Sequence, residues 1–240
     1  MEGIKNAVEP DQLNPDLIKA SALQEALGKR KDFNQFMREN GYDGEILDVF
    51  DEFSTEKACV WIDPLDGTND FCKGNLSAVT VLIGLSIDGL PKVGVVHNPF
   101  QTNENDGKGM TIFGTQEHGA FRLDYDVKMS KEELSARQPQ YFEPFDQKME
   151  VSDEYEVRVA ASLSHFNQMM QDVIEKIQPV KICRLGGAGN KVNRIALDEV
   201  DSYVQPRPGL SFWDLCAPEA IVRGMGGMCT DFNNKRLIYD

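Results

Sequence analysis

The hydrophobic pattern changes its period along the chain. From about residue 57 onward, apolar residues come in short runs rich in β-favouring side chains, such as Ala58-Cys-Val-Trp-Ile62, Thr80-Val-Leu-Ile-Gly84 and Gly94-Val-Val-His-Asn-Pro99. Such runs, bounded by turn residues, predict strands, here over 57–63, 78–88, 91–98, 110–114 and 118–123. Asp88-Gly-Leu-Pro, between the second and third, is a hairpin signal. Upstream, Leu17, Ile18, Leu23, Leu27, Phe33, Phe36 and Met37 keep helical spacing across 11–40, and 41–56 reads as an acidic, exposed link. Downstream, strands at 156–161, 179–184 and 200–205 alternate with helices at 165–177, from Lys191 through Leu197, and at 214–224. In the first of these helices Phe166, Met169, Met170, Val173, Ile174 and Ile177 form a core-facing stripe. The stretch 124–154 is charged, contains Pro and has no period, so it reads as an inserted loop and a domain boundary. The expected organisation is an N-terminal α+β region over 1–150 and a C-terminal α/β region over 151–240.

Two strings in this pattern carry chemistry. In Trp61-Ile-Asp-Pro-Leu-Asp-Gly-Thr68, two carboxylates stand three residues apart around a Pro turn. Pro64 lacks an N–H, so the strand is expected to stop there with Asp63 at its end. The turn exposes the Leu65 carbonyl as a neutral oxygen ligand, Asp66 points to the same side, and Gly67 permits close approach of the backbone to a phosphate. Thr68 brings a hydroxyl that can orient a water. In Phe212-Trp-Asp-Leu-Cys-Ala-Pro-Glu-Ala-Ile221, Asp214 sits at the mouth of a helix, in an N-cap-like position. Converging carboxylates and a carbonyl are the hard oxygen donors that Mg²⁺ takes. Two such ions, roughly 3.5–4 Å apart, can clamp a phosphoryl group. A third string, Arg184-Leu-Gly-Gly-Ala-Gly-Asn-Lys191, offers a compact cation beside a flexible turn, suited to a second, non-reacting phosphate.

These strings resemble the signatures of the Mg²⁺-dependent, lithium-inhibited phosphomonoesterases. That superfamily includes inositol monophosphatases, inositol polyphosphate 1-phosphatases, fructose-1,6-bisphosphatases and 3'(2'),5'-bisphosphate nucleotidases. Arg184–Lys191 is most similar to the bisphosphate nucleotidases, and the resemblance covers roughly residues 55–240. It implies a sugar-phosphatase-like α/β (α+β layered) fold, with alternating layers of helices and mixed sheets. It also implies a site carried over residue by residue. Asp63, the Leu65 carbonyl, Asp66 and Asp214 match the metal ligands, and Thr68 matches the threonine that helps activate the attacking water. Ser162, His165, Gly187 and Lys191 match the nucleotide-contacting positions, and Gly67 lies against the phosphate. The activity implied is hydrolysis of the 3'-phosphate of adenosine 3',5'-bisphosphate to AMP and phosphate by metal-activated water, with two or three Mg²⁺ ions.

The chain also departs from the family pattern. Family members carry a Gly-Glu-Glu motif upstream, whose first Glu is a metal ligand; here the nearest match is Glu9 in Val8-Glu-Pro-Asp11. Glu45 is a poorer candidate because it lies close to Asp63. The chain therefore reads as truncated at both ends. Two alternatives stay open: an inositol phosphate 1-phosphatase, and a catalytically impaired nucleotide-binding paralogue that lacks the upstream Glu.

Composition narrows the partners. The net charge is −14, which argues against long nucleic acid, since that partner usually needs a basic patch. A phosphorylated mononucleotide remains compatible because metal ions would offset its charge. No run of eighteen apolar residues marks a membrane span, and the N-terminus has no apolar signal core. The five cysteines have no CxxC spacing, which favours a reducing compartment and a cytoplasmic protein. His97, His118 and Cys216 are read as structural.

Overall fold

The computed structural model describes residues 57–145, 156–163, 167–206 and 208–239. The helical pattern of 11–40, the link of 41–56 and the boundary at 150/151 lie outside these residues, as do Glu9 and His165.

Six strands form an antiparallel sheet in chain order: β1 (Ala58–Asp66), β2 (Thr80–Ile87), β3 (Leu90–Asn98), β4 (Lys108–Thr115), β5 (Gly119–Asp126) and β6 (Gln140–Phe142). The β2–β3 hairpin closes by pairing Ile87 with Leu90. Its two turn residues, Asp88 and Gly89, both have positive φ (51° and 70°), as a turn matched to strand twist requires. Between β1 and β2 lie a short helix, α1 (Thr68–Cys72), and a 3₁₀ turn at Leu76–Ala78.

β1 corrects the expectation that the strand ends at Pro64. Pairing resumes at Asp66 with Thr80, after a register shift between Asp63 and Asp66. β1 is an edge strand, where a missing N–H can face away from the ladder, and the bulge absorbs the extra residue. The stretch 124–154 is also more ordered than its lack of period predicts. β5 extends to Asp126, β6 adds an edge, and α2 (Lys131–Ser135) starts with a reciprocal capping box between Ser130 and Glu133.

The second sheet is parallel, ordered β8 (Lys181–Leu185), β7 (Arg158–Ser162), β9 (Ser202–Tyr203). Among the described residues, one sheet is thus antiparallel and the other parallel. Three longer helices complete the layers: α3 (Gln168–Ile177), α4 (Ala188–Ala196) and α5 (Phe212–Gly224).

The main core lies between the antiparallel sheet and α5, where Leu82, Val96, Ile112, Ala217, Ile221 and Met225 meet. Alternation along β7 divides the rest. Val159 and Ala161 pack with Met170 and Ile174 of α3, while Ala160 packs with Ile195 of α4 and Val200. Helix α4 is therefore shared between the two sheets. The guanidinium of Arg158 ties β7 to the turn after α4, through Asp198 at 2.7 Å and Asp201 at 2.6 Å.

Candidate active site

The site is assembled around Asp66. This residue is buried at the end of β1, and both of its oxygens accept hydrogen bonds. Oδ1 accepts from the Ala188 N–H at 3.0 Å; Oδ2 accepts from the Gly189 N–H at 2.8 Å and from Thr80 Oγ1 at 2.7 Å. Asp66 thus satisfies the first free N–H groups of α4 across more than a hundred residues of chain, with its charge at the favourable end of the helix dipole. Gly187 makes the approach possible. Its φ is +64°, and a Cβ there would lie 2.4 Å from the Ala78 carbonyl oxygen and 3.1 Å from Asp66 Oδ2.

Asp63 sits at the start of the bulge, where its Oδ1 accepts from the Leu65 N–H at 2.9 Å. Thr68 Oγ1 donates to the Leu65 carbonyl at 2.9 Å, so that carbonyl faces the same turn. Asp214 reaches the site from α5. It is the third residue of that helix rather than its N-cap: Ser211 holds the cap, and Asp214 Oδ2 accepts the Ser211 N–H at 2.7 Å. One ligand atom each from Asp63, Asp66 and Asp214 lies within 4.8 Å of the others.

This donor set fits a hard divalent cation. Two oxygens on a single Mg²⁺ lie at most about 4.2 Å apart, twice its bond length. The limit of 4.8 Å observed here is close to that span and also suits a pair of ions. Burial, and to a lesser extent mutual repulsion, shows in the acidities. Asp214 is pushed up to about 6, chiefly by burial, with the charges of Asp66 and Asp63 adding to it and the Ser211 N–H and Lys191 opposing. Asp63 is raised by burial, against the Leu65 N–H, with Asp66 adding to the rise.

Beside the carboxylates lies a cavity of about 180 Å³. Asp66, Gly67, Thr68, Ser162, Gly187, Lys191 and Asp214 all line it; Asp63 and Leu65 are not on its wall, though Asp63 clusters with Asp66 and Asp214. Ser162 is at the end of β7, and Lys191 is on α4. Lys191 is only 4% exposed. Its Nζ donates to the Gly187 carbonyl at 2.8 Å and stands 4.8 Å from the centre of the Tyr203 ring. Burial lowers the Lys191 pKa, while Asp66, Asp70 and Asp214 pull it back up.

Among the lining residues that were not foreseen are Asp70, Tyr203 and Gln205. Asp70 follows Asp66 by four residues in an Asp-Gly-Thr-Asn-Asp string, a spacing that could have drawn attention. Its Oδ1 accepts from Asn75 Nδ2 at 2.8 Å. Tyr203 and Gln205 are placed by tertiary structure alone. Gln205 Oε1 is buried with no hydrogen-bond partner, an acceptor available to a ligand.

The residues read as structural behave so. His97 bonds to Thr111 and Tyr125. The Cys216 thiol is buried and pushed up to about 12 by burial, which leaves no thiolate to act as a nucleophile.

The fold is a layered α/β one, with three carboxylates gathered where a strand end meets the starts of two helices, beside a polar cavity. The comparisons name its family. The model of the inositol monophosphatase family matches residues 11–240, and the chain belongs to that family. The mouse 3'(2'),5'-bisphosphate nucleotidase 1 is 30% identical over 215 residues, which cover 86% of this chain and 62% of that protein. The human protein of the same name is 32% identical over 187 residues, covering 77% of this chain and 53% of its own length. The chain thus spans less than two thirds of these relatives. The structure of CysQ from Bacteroides thetaiotaomicron, a bacterial member of the family, aligns with a TM-score of 0.54 and 25% identity, over 71% of this chain and 60% of that one.

Proposed function

We propose that the protein is a Mg²⁺-dependent phosphomonoesterase that hydrolyses the 3'-phosphate of adenosine 3',5'-bisphosphate to AMP and phosphate. The observation that carries this reading is the charge of the pocket. Asp66, Asp70 and Asp214 line it, Asp63 adjoins them, and Lys191 is the one cation on its described wall. A phosphate dianion would be repelled from such a pocket unless divalent cations entered with it. When bound, the cations supply positive charge to the phosphate oxygens and acidify a water.

The chain's own residues take the other roles. Asp63, Asp66, Asp214 and the Leu65 carbonyl hold the metal. The expected complement of two or three ions includes Glu9 as a further ligand. Thr68 spends its proton on the Leu65 carbonyl, so its lone pairs can accept a hydrogen bond from the attacking water and orient it. Lys191 and Ser162 receive the second phosphate and the nucleotide, and Gly67 and Gly187 give the backbone close approach; His165 is proposed to join them. Relatives named 3'(2'),5'-bisphosphate nucleotidases support the choice of substrate. Among the described residues no helix is long and apolar enough to cross a membrane, and the five cysteines are free. Both fit the proposed cytoplasmic setting.

The test is phosphate release from adenosine 3',5'-bisphosphate and from inositol 1-phosphate, with Mg²⁺ and with or without Li⁺, using Asp63→Asn as control. The nucleotide should be cleaved, with Li⁺ suppressing the reaction and the control inactive. Lys191→Ala should cut use of the bisphosphate at least tenfold more than use of the inositol phosphate, about the worth of one charge-assisted phosphate contact. Equal losses on both would overturn the nucleotide assignment. No release from either substrate by a folded chain would favour a non-catalytic binder.

A further inference from the structure

A second polar cavity, of about 170 Å³, opens on a different face of α4. Its walls include Asn190, Asn193 and Arg194 of α4, Arg122 of β5, and the apolar Met110 and Leu197. None of these residues belongs to the carboxylate site.

Asn193 is the informative residue. It is 1% exposed, and both its Oδ1 and its Nδ2 are buried without a hydrogen-bond partner among the described residues. A buried amide left wholly unpaired is costly, and native structures rarely tolerate one without a role for it. The same wall holds two guanidinium groups whose bonding is incomplete. Arg194 uses Nη1 on Glu199 at 2.9 Å, and its Nε is buried without a partner. Arg122 donates Nη2 to Asp124 Oδ1 at 3.0 Å; its Nε is paired in charge with Asp124 Oδ2 at 2.9 Å but is buried without a hydrogen-bond partner among the described residues. Both partner carboxylates lie off the cavity wall.

We infer that this cavity is a binding site for a small oxyanion, a phosphate or carboxylate group, held between Arg122 and Arg194 with its remaining polar atoms paired to Asn193. The chemistry follows from the donors. Guanidinium groups present paired N–H donors that match the oxygens of these anions. An amide supplies a donor and also an acceptor for a protonated oxygen. The volume is well below that of pockets for drug-sized ligands, so it suits a small anion or one terminal group of a larger molecule, not a whole nucleotide.

The experiment is thermal melting in EDTA, which silences the metal site, while inorganic phosphate or acetate is titrated. Saturating anion should raise Tm by roughly 5–10 °C at a hundredfold excess over Kd. Arg194→Gln should abolish the rise, and Lys191→Ala should keep it. Asn193→Leu should raise the Tm of the anion-free chain, because an unpaired buried amide is replaced by an apolar group of similar size, yet remove the response to anion. Three results would overturn the proposal: no response to either anion, a response lost in Lys191→Ala but kept in Arg194→Gln, or Asn193→Leu responding like the parent. The first would assign the cavity to bridging water. Phosphate and acetate curves compared in the parent chain tell which oxyanion it prefers.

Discussion

Asp66→Asn separates the two roles that geometry gives Asp66, ligand and helix cap. Asn keeps one acceptor oxygen and replaces the other with a donor. The best orientation keeps the oxygen on the side that serves Gly189 and Thr80, at 2.8 and 2.7 Å. The new NH₂ then faces the Ala188 N–H from 3.0 Å, two donors with no acceptor between them. One lost hydrogen bond to a charged group costs about 1.5–3 kcal/mol, and the lost anion at the mouth of α4 about 0.3–1 kcal/mol more. Relief of repulsion on Asp214 and Asp63 offsets a minor part, because burial is the larger cause of both shifts. The expected net loss is about 1–3 kcal/mol, or roughly 3–10 °C in Tm for a chain of this size. Asp63→Asn is the contrast. Its one hydrogen bond, from the Leu65 N–H, survives on an amide oxygen, so its melt in EDTA should match the parent within about 0.5 kcal/mol. Both variants should lose the rise in Tm that Mg²⁺ gives the parent. If Asp66→Asn melts with the parent in EDTA, the capping argument is wrong.

Two further outcomes follow from the same geometry. Asp214, raised to about 6, holds a proton in the folded, cation-free chain between its ordinary value and about pH 6, where the unfolded chain has lost it. Stability of the cation-free chain should therefore rise as pH falls through that window, while Mg²⁺ affinity falls because the ion must displace the proton. Melts with and without Mg²⁺ at about pH 7.5 and about pH 5 should show the Mg²⁺ effect shrinking at the lower pH; an equal effect at both would remove Asp214 from the ligand set. Gly187→Ala combines a left-handed φ with a Cβ placed 2.4 Å from a carbonyl oxygen, whereas Gly74→Ala has a similar φ of +75° and nothing within 4 Å. Gly74→Ala should cost about 1–2 kcal/mol and Gly187→Ala clearly more, with a loss of activity that Gly74→Ala does not share; equal melts would refute the close approach.

The legible part of the site was the local part. Asp63, Leu65, Asp66, Gly67 and Thr68 occupy one turn, and their spacing alone brings them together. Asp214 was legible as a helix-start residue, though its place as third residue depends on Ser211 taking the cap. Pro64 misled because sequence does not say whether a strand is central or at an edge; only at the edge does a missing N–H leave the ladder intact. Residues 124–154 misled because β6 is three residues long, too short to show a period, and is held by its pairing with β5. Tyr203 and Gln205 read as strand residues and nothing more. Their part in the pocket arises from β9 pairing with β7, which no local pattern encodes. The capping of α4 by Asp66 is of the same kind, since an acid at a strand end shows no sign of the distant helix it serves.

The convergence of distant carboxylates depends on how closely α5 lies on the sheet. A Cβ on Gly94 of β3 would fall 2.1 Å from the Ala217 carbonyl oxygen, and one on Gly84 of β2 would fall 2.7 Å from the Ala217 N. Backbone therefore rests on backbone at the second turn of α5, and the first turn, with Asp214, is carried down to the bulge of β1. Pro218 follows within the helix and has no N–H to give the Asp214 carbonyl. The first turn thus lacks one of the bonds that would otherwise tie it to the rest of α5. What holds it is the reciprocal cap: the Asp214 carboxylate spends Oδ2 on the Ser211 N–H, which leaves Oδ1 for a cation. Asp66 is held in the same manner by α4. Two of the three clustered carboxylates are thereby fixed by N–H groups at helix starts, and Asp63 by the backbone N–H of its own turn. Among the described residues, none of the three accepts a hydrogen bond from a cationic side chain. A cluster anchored by neutral donors, with Lys191 acting on it only through space, keeps a net negative charge, and that is the condition under which it attracts a divalent ion rather than closing on itself.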